Sequence, residues 1–338
     1  MRNIGMPVRL LFCGMLKSLM LAVLFAGVLP IGAVEYELRG DGADIFGKLE
    51  RIHARHEDTL IEIARRYSLG YEELIRVNKG VDPWLPGEGT QIVIPGQRLL
   101  PTSNREGILV NLPEHRMYFF PPAKTGEPSK IMTFPVSVGK MDWQTPLGTT
   151  TVVSKQKDPA WYPPASVRAE HEARGDPLPF VVPPGPKNPL GRHALRLNIP
   201  GGAYLIHGTN NPDAIGMAVT HGCLRMYPED VAVLFDAVKV GTKVNLINEP
   251  LKMTRVAGEV WIEVHPPIDA EGQTSTVKLE DFESHLDALL GEAEFAVNWD
   301  IAIEALRDAS GIPVIIGIEL APETAEIGAD APSATAKL

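Results

Sequence analysis

Residues 219–226 read Val-Thr-His-Gly-Cys-Leu-Arg-Met and place a thiol, Cys223, among a threonine, a histidine, a glycine and an arginine. A free thiol titrates near ~8.5 and becomes a useful nucleophile only where a base or a positive field favours the thiolate. Two bases are at hand. His221 stands two residues before Cys223, and His207 closes the apolar run Ala-Tyr-Leu-Ile-His further upstream. Gly208 and Gly222 flank these groups and let backbone N–H groups approach a reacting atom, which an oxyanion formed in acyl transfer requires. A helix expected over Tyr227–Val238, just after Arg225, would add its positive end near the sulfur.

Three chemistries are open to Cys223. As a buried hydrophobe it would be inert, but Thr220, His221 and Arg225 make its surroundings too polar for that. As a zinc ligand it would join His207 and His221; the chain offers no paired ligand motif such as HExxH and no second nearby cysteine. As a nucleophile it needs a base and backbone donors, and both are present. Neither a metal nor a cofactor is required.

The rest of the chain bears on that choice. Arg2, Arg9 and Lys17 precede Ser-Leu-Met-Leu-Ala-Val-Leu-Phe-Ala-Gly-Val-Leu-Pro-Ile-Gly-Ala, the pattern of an export signal over residues 1–33. Its removal takes Cys13 away and leaves Cys223 alone, unable to form an internal disulfide. Export takes the chain out of the cytoplasm. A formal charge of −10 with no dense basic tract argues against nucleic acid as a partner.

The elements that must hold the thiol read mostly as strands. Gly-Ile-Leu-Val-Asn and Arg-Met-Tyr-Phe-Phe flank an Asn-Leu-Pro-Glu turn, and the runs around 130–140, 148–157, 193–199, 203–209 and 241–248 continue the pattern. Strands separated by turns argue for a mainly-β, sandwich- or barrel-like core over 106–248. One stretch breaks the rhythm: residues 158–190 carry nine prolines around a short helical run at Val167–Ala173. This is a loop packed outside the sheet, with Trp161 and Tyr162 either anchoring it or offering a sugar- or peptide-contacting face, and it is the candidate wall of an acceptor site. Residues 252–320 read as a small α/β appendage with Arg-Val-Ala-Gly-Glu-Val-Trp-Ile-Glu-Val as one strand, two amphipathic helices and a closing strand. His265 and His285 there are structural or surface histidines. Residues 321–338 are a low-complexity tail.

Two resemblances sharpen these readings. Asp-Thr-Leu-Ile-Glu-Ile-Ala-Arg-Arg-Tyr, Glu-Glu-Leu-Ile-Arg-Val-Asn and Leu-Pro-Gly-Glu-Gly-Thr-Gln-Ile-Val-Ile-Pro resemble a LysM domain over residues 51–97. That likeness implies a β-α-α-β module that binds peptidoglycan glycan strands. The stretch from Ile206 to Met226, with His-Gly, a spacer and Thr-His-Gly-Cys, resembles the signature of the L,D-transpeptidase (YkuD) family, in its ErfK/YbiS-like Gram-negative group. What this implies is a cysteine acyltransferase. Cys223 would attack the meso-diaminopimelate–D-Ala bond of a tetrapeptide stem, and His207 would serve as general base and acid. His221 and Gly222 would shape the nucleophile turn, with Gly208 beside them, and the N–H groups of Gly222 and Cys223 would form the oxyanion hole. Thr220 would support His207 or the turn, and Arg225 would brace the turn or pair with a stem carboxylate. The thioester would pass to a diaminopimelate amine, giving a 3→3 crosslink, or to a lysine of an outer-membrane lipoprotein. Hydrolysis on the same scaffold, or wall binding without catalysis, are the alternatives.

Overall fold

The computed structural model describes residues 34–38, 44–123, 125–140, 145–201, 204–268 and 274–320. The export signal expected over residues 1–33, with Cys13, and the tail expected over 321–338 lie outside the described residues. Between them, nine strands join into one curled sheet. From one edge to the other it runs Val34–Glu37, Lys130–Pro135, Arg116–Phe120, Gly107–Asn111, Lys243–Ile247, Gly148–Lys157, His193–Leu197, Leu205–His207 and Leu224–Arg225. The catalytic core is therefore mainly β, curled rather than split into two facing sheets. The ten-residue Gly148–Lys157 strand makes the curl: its register shifts between Val152 and Ser154, so its two halves serve differently angled neighbours.

The hairpin of 107–111 and 116–120 does not alternate between a buried and an exposed face. Both strands are buried on both faces. Ile108, Val110, Met117 and Phe119 enter the main core with Val231, Leu234 and Phe235 of the Pro228–Ala237 helix. Leu109, Tyr118 and Phe120 enter a second cluster with Phe46 and Ile131. A two-sided core needs continuous apolar runs, as in sheets covered on both faces.

Residues 49–95 fold as strand Leu49–His53, helices Leu60–Arg66 and Tyr71–Val77, and strand Gln91–Pro95, with the two strands antiparallel. Thr59 caps the first helix through a reciprocal box with Glu62. Leu60, Ile63, Ala64, Leu74 and Ile92 fill its core. The appendage corrects one expectation. Arg255–Val264 is two strands, because Ala257 and Gly258 both take positive φ (52° and 80°) and turn Leu251–Val256 back into Glu259–Val264. An alanine in that conformation gives little turn signal. The short strand Phe295–Val297, also unread, closes the order 251–256, 259–264, 314–319, 295–297.

The pieces are joined by buried charges. Glu73, three residues into the Tyr71–Val77 helix, accepts from the N–H of its cap residue Gly70 at 3.0 Å. The same carboxylate pairs with Arg98 of the linker strand and, at 2.5 Å, with Arg116 of the sheet. Both arginines are at most 4% exposed. Around this pair, Arg65 clasps Glu229 with two bonds of 2.7 and 2.9 Å, and the Tyr227 hydroxyl donates to the Leu69 carbonyl at 3.2 Å. On the far side, Lys252 of the appendage reaches Glu263, Glu114 of the catalytic hairpin and the Leu99 carbonyl at 2.6–2.9 Å. His265 is buried and bonded to Glu263, while His285 is exposed.

Burial pushes the Glu73 carboxyl up, but the charges of Arg116 and Arg98 outweigh it and hold it at about 2. A carboxylate whose pKa is lowered on folding stabilises the fold above its unfolded value of about 4.3 and loses that contribution as pH falls toward 2. Glu73→Ala strands two buried guanidinium groups and should cost about 3–5 kcal/mol in urea unfolding at neutral pH. The difference between Glu73→Ala and the native chain should narrow between pH 5 and 2; a constant gap across that range would show that the carboxylate is not what holds the module.

Candidate active site

The last two strands of the sheet, Leu205–His207 and Leu224–Arg225, run parallel with Ile206 opposite Leu224 and His207 opposite Arg225. Side chains alternate across a strand. Ile206 and Leu224 point into the main core, so His207 and Arg225 share the opposite face. Cys223 precedes Leu224 and joins them there, with the backbone N–H of Leu205 facing its sulfur. His207 is 4% exposed, whereas Cys223 stays partly open to solvent.

Hydrogen bonds fix the chemistry available to this pair. His207 Nδ1 lies 2.6 Å from the Gly208 carbonyl, which can only accept, so Nδ1 carries the proton and Nε2 keeps its lone pair. Burial, then the nearby Arg225 charge, push His207 down to about 3 against the raising effect of the Gly208 bond. Burial pushes the Cys223 thiol up, more than the Leu205 N–H and Arg225 pull it down. At rest the pair is therefore a neutral thiol beside a neutral imidazole.

The turn that carries the sulfur is held at each peptide. Gly222 adopts φ +91°, a conformation that favours glycine. The Thr145 hydroxyl, buried and accepting from the Gly139 N–H, donates to the Gly222 carbonyl at 3.1 Å. The Thr220 hydroxyl donates to the Cys223 carbonyl at 2.6 Å. A trans peptide directs its N–H opposite its C=O, so the Thr145 bond turns the Cys223 N–H away from the interior. Thr220 thus braces the turn and does not serve His207. Thr145 was missed: a threonine among the threonines of residues 145–151 has no distinguishing mark in sequence.

Other expectations change. The Gly208 N–H donates to the His193 carbonyl at 3.1 Å, so it is not free for an oxyanion. The first turn of the Pro228–Ala237 helix carries Glu229 and Asp230 and receives Arg65 at Glu229, so its positive end faces that cluster rather than the thiol. His221 turns to the proline-rich insertion, where its Nε2 meets Glu170 at 2.8 Å. Arg225 makes no ion pair with a carboxylate among the described residues, and its backbone pairs with Ser137. Among the described residues, the one group with metal-ligand spacing is Glu114, Glu263 and His265, away from the thiol and penetrated by the Lys252 ammonium.

The spacer between His207 and Cys223 is clamped from the module. The Tyr71 N–H donates to the Ile215 carbonyl at 2.8 Å, His115 Nδ1 to the Gly216 carbonyl at 2.9 Å and Ser137 Oγ to the Ala214 carbonyl at 2.7 Å. Gly216 has φ +85°, and a Cβ there would stand 2.3 Å from Gly70 Cα. The chain then runs as Ala218–Thr220 alongside Val138–Gly139 and enters the nucleophile turn.

The neutral resting pair predicts that alkylation of Cys223 by iodoacetamide rises with pH through a single ionisation above that of free cysteine. A reactive plateau extending below neutral pH would instead mean a preformed thiolate–imidazolium pair. Gly216→Ala should slow that alkylation or the enzyme's turnover by about tenfold or more, since a left-handed Cβ and a backbone clash must both be relieved.

Residues 105–246 match the L,D-transpeptidase catalytic domain of the YkuD family. The chain is 37% identical over 319 residues to the probable L,D-transpeptidase YcfS of Escherichia coli (strain K12), covering 91% of this chain and 96% of that protein. It is also 37% identical to the probable L,D-transpeptidases YbiS and ErfK/SrfK of the same strain, over 83% and 87% of this chain and 92% and 94% of theirs. The chain is an enzyme that belongs to the L,D-transpeptidase (YkuD) family.

Proposed function

We propose that this enzyme rebuilds peptidoglycan in the periplasm, with Cys223 as nucleophile and His207 as its acid and base. The observation that carries this reading is the shared face of the two parallel strands, which holds both His207, with its lone pair on Nε2, and the partly open Cys223. Sγ attacks the carbonyl of the meso-diaminopimelate–D-Ala bond while its proton passes to His207 Nε2. The Cys223 N–H, with that of Gly222, receives the oxyanion, and Arg225 favours the negative charge. The intermediate collapses, the nitrogen of D-Ala takes the proton back from His207, and a thioester remains on Cys223. An amine then attacks the thioester, gives its proton to His207 and leaves with the acyl group as the thiol is restored. That amine is a diaminopimelate of a second stem or a lysine of an outer-membrane lipoprotein.

Residues 51–97 serve as a LysM module on the glycan strand. The β-α-α-β order and the Thr59–Glu62 cap support that reading. Residues 1–33 direct export. Metals and cofactors have no part in this scheme.

Purified protein incubated with defined disaccharide-tetrapeptide should give a crosslinked dimer and free D-Ala by mass spectrometry. Supplying a lysine-terminated peptide as acceptor should divert product to the peptide adduct if the lipoprotein route operates. Cys223→Ala should abolish every product, and His207→Asn should lower turnover by about 10²–10⁴-fold. Tripeptide alone, without dimer or adduct, would make the enzyme a carboxypeptidase instead.

A further inference from the structure

The proline-rich insertion is pinned at its base and touches the nucleophile turn through a cluster on its helix. At the base, Asn188 is fully buried, and its Nδ2 faces the carbonyls of Pro159, Val182 and Pro183 at 2.7–3.3 Å. Its Oδ1 accepts from the Leu190 N–H, and Trp161 and Val182 exchange two backbone bonds. The Asp158 N–H closes the neck on the Arg192 carbonyl at 2.8 Å. Further out, the Ala165–Ala173 helix is tied to its own loop by Arg168, which bonds the Pro163 carbonyl and lies over the exposed Phe180 ring.

Glu170 on that helix makes the contact with the active site. One carboxylate oxygen takes the His221 Nε2 at 2.8 Å, and the other takes Lys140 Nζ at 3.2 Å and the Arg174 guanidinium. His221 and Lys140 both belong to the nucleophile turn, since the Lys140 N–H donates to the Thr220 carbonyl at 3.0 Å. The bond to His221, then that to Lys140, hold the Glu170 carboxyl at about 2, so the anchor stays ionised wherever the enzyme works. An isolated half-exposed ion pair is weak, but one carboxylate shared by three donors is a network. Nothing in the base of the loop depends on it.

We propose that Glu170 is a positioning residue that latches the insertion against the His221–Cys223 turn and thereby sets how the thioester divides between amine and water. This rests on the acyl-transfer reading above. A thioester facing bulk water has a vast excess of the wrong acceptor, so transfer to an amine requires that water be screened while the amine is held. The latched helix meets the sulfur-bearing turn through His221 and Lys140, where it can act as that screen. Releasing it leaves Cys223, His207 and their bonds in place but opens the thioester to solvent.

The test compares the full-length enzyme with Glu170→Ala and with Glu170→Gln, which keeps the volume and removes the charge. Hydrogen exchange of residues 165–173 should speed up by about tenfold in both variants, with 148–157 and 193–197 unchanged. With a tetrapeptide donor and a fixed amine concentration, the ratio of amine adduct to hydrolysed tripeptide should fall by about tenfold. That ratio is set within each acyl-enzyme and does not move if a variant merely contains less folded protein. Unchanged exchange at 165–173 would overturn the latch. Faster exchange with an unchanged ratio would overturn its control of the thioester. Should the native enzyme form neither product, the acyl-transfer reading fails, and with it the claim about the ratio, while exchange still decides the latch.

Discussion

Everything around the thiol depends on how Glu73 is placed. Its carboxylate caps its own helix at Gly70, neutralises Arg98 in the linker and neutralises Arg116 in the middle of the catalytic sheet. Three segments from three parts of the chain converge on two oxygens. That convergence brings Gly70 against Gly216 and the Tyr71 N–H against Ile215. Residues 208–219 join the histidine to the cysteine, and a spacer of that length with little regular structure has no stiffness of its own. Its geometry comes from outside, through the Glu73 helix on one side and through Ser137 and His115 on the other.

The electrostatics of the pair follow from the same packing. His207 lies deep in the sheet edge and Cys223 at its rim, so desolvation dominates both and neither carries charge at rest. Arg225 acts on the two in opposite senses, favouring a thiolate and opposing an imidazolium. A site that avoids a standing ion pair keeps its thiol less open to oxidation, because the thiolate is the reactive form.

How much of this could be read from the amino acids depends on whether the signal is local. The capping residues at 59–62, the apolar period of the first helices, the strand runs and the Thr-His-Gly-Cys turn are local, and their elements stand where the pattern puts them. The shared face of His207 and Cys223 follows once the two strands are known to be parallel neighbours, a fact of sheet order rather than of composition. Glu170, Thr145, Glu73 and Arg116 act on partners dozens of residues away, and nothing in their flanks marks them. Ala257 hid a turn because a residue with a Cβ seldom takes positive φ, and the 107–120 hairpin hid its two-sided burial because Asn111, Glu114 and Arg116 look like surface residues.

The welded contact also bears on the glycan-binding role proposed for residues 51–97. On a flexible linker, a second binding site raises local substrate concentration and leaves orientation free. Here the module's helix is in backbone contact with the loop that joins the catalytic residues, and the Arg65–Glu229 and Glu73–Arg116 pairs leave it no freedom to swing. If residues 51–97 hold a glycan strand, that strand lies at a fixed distance and angle from Cys223. Stems project from a glycan at regular intervals, so a rigid mount admits those that reach the sulfur in one register and rejects the rest.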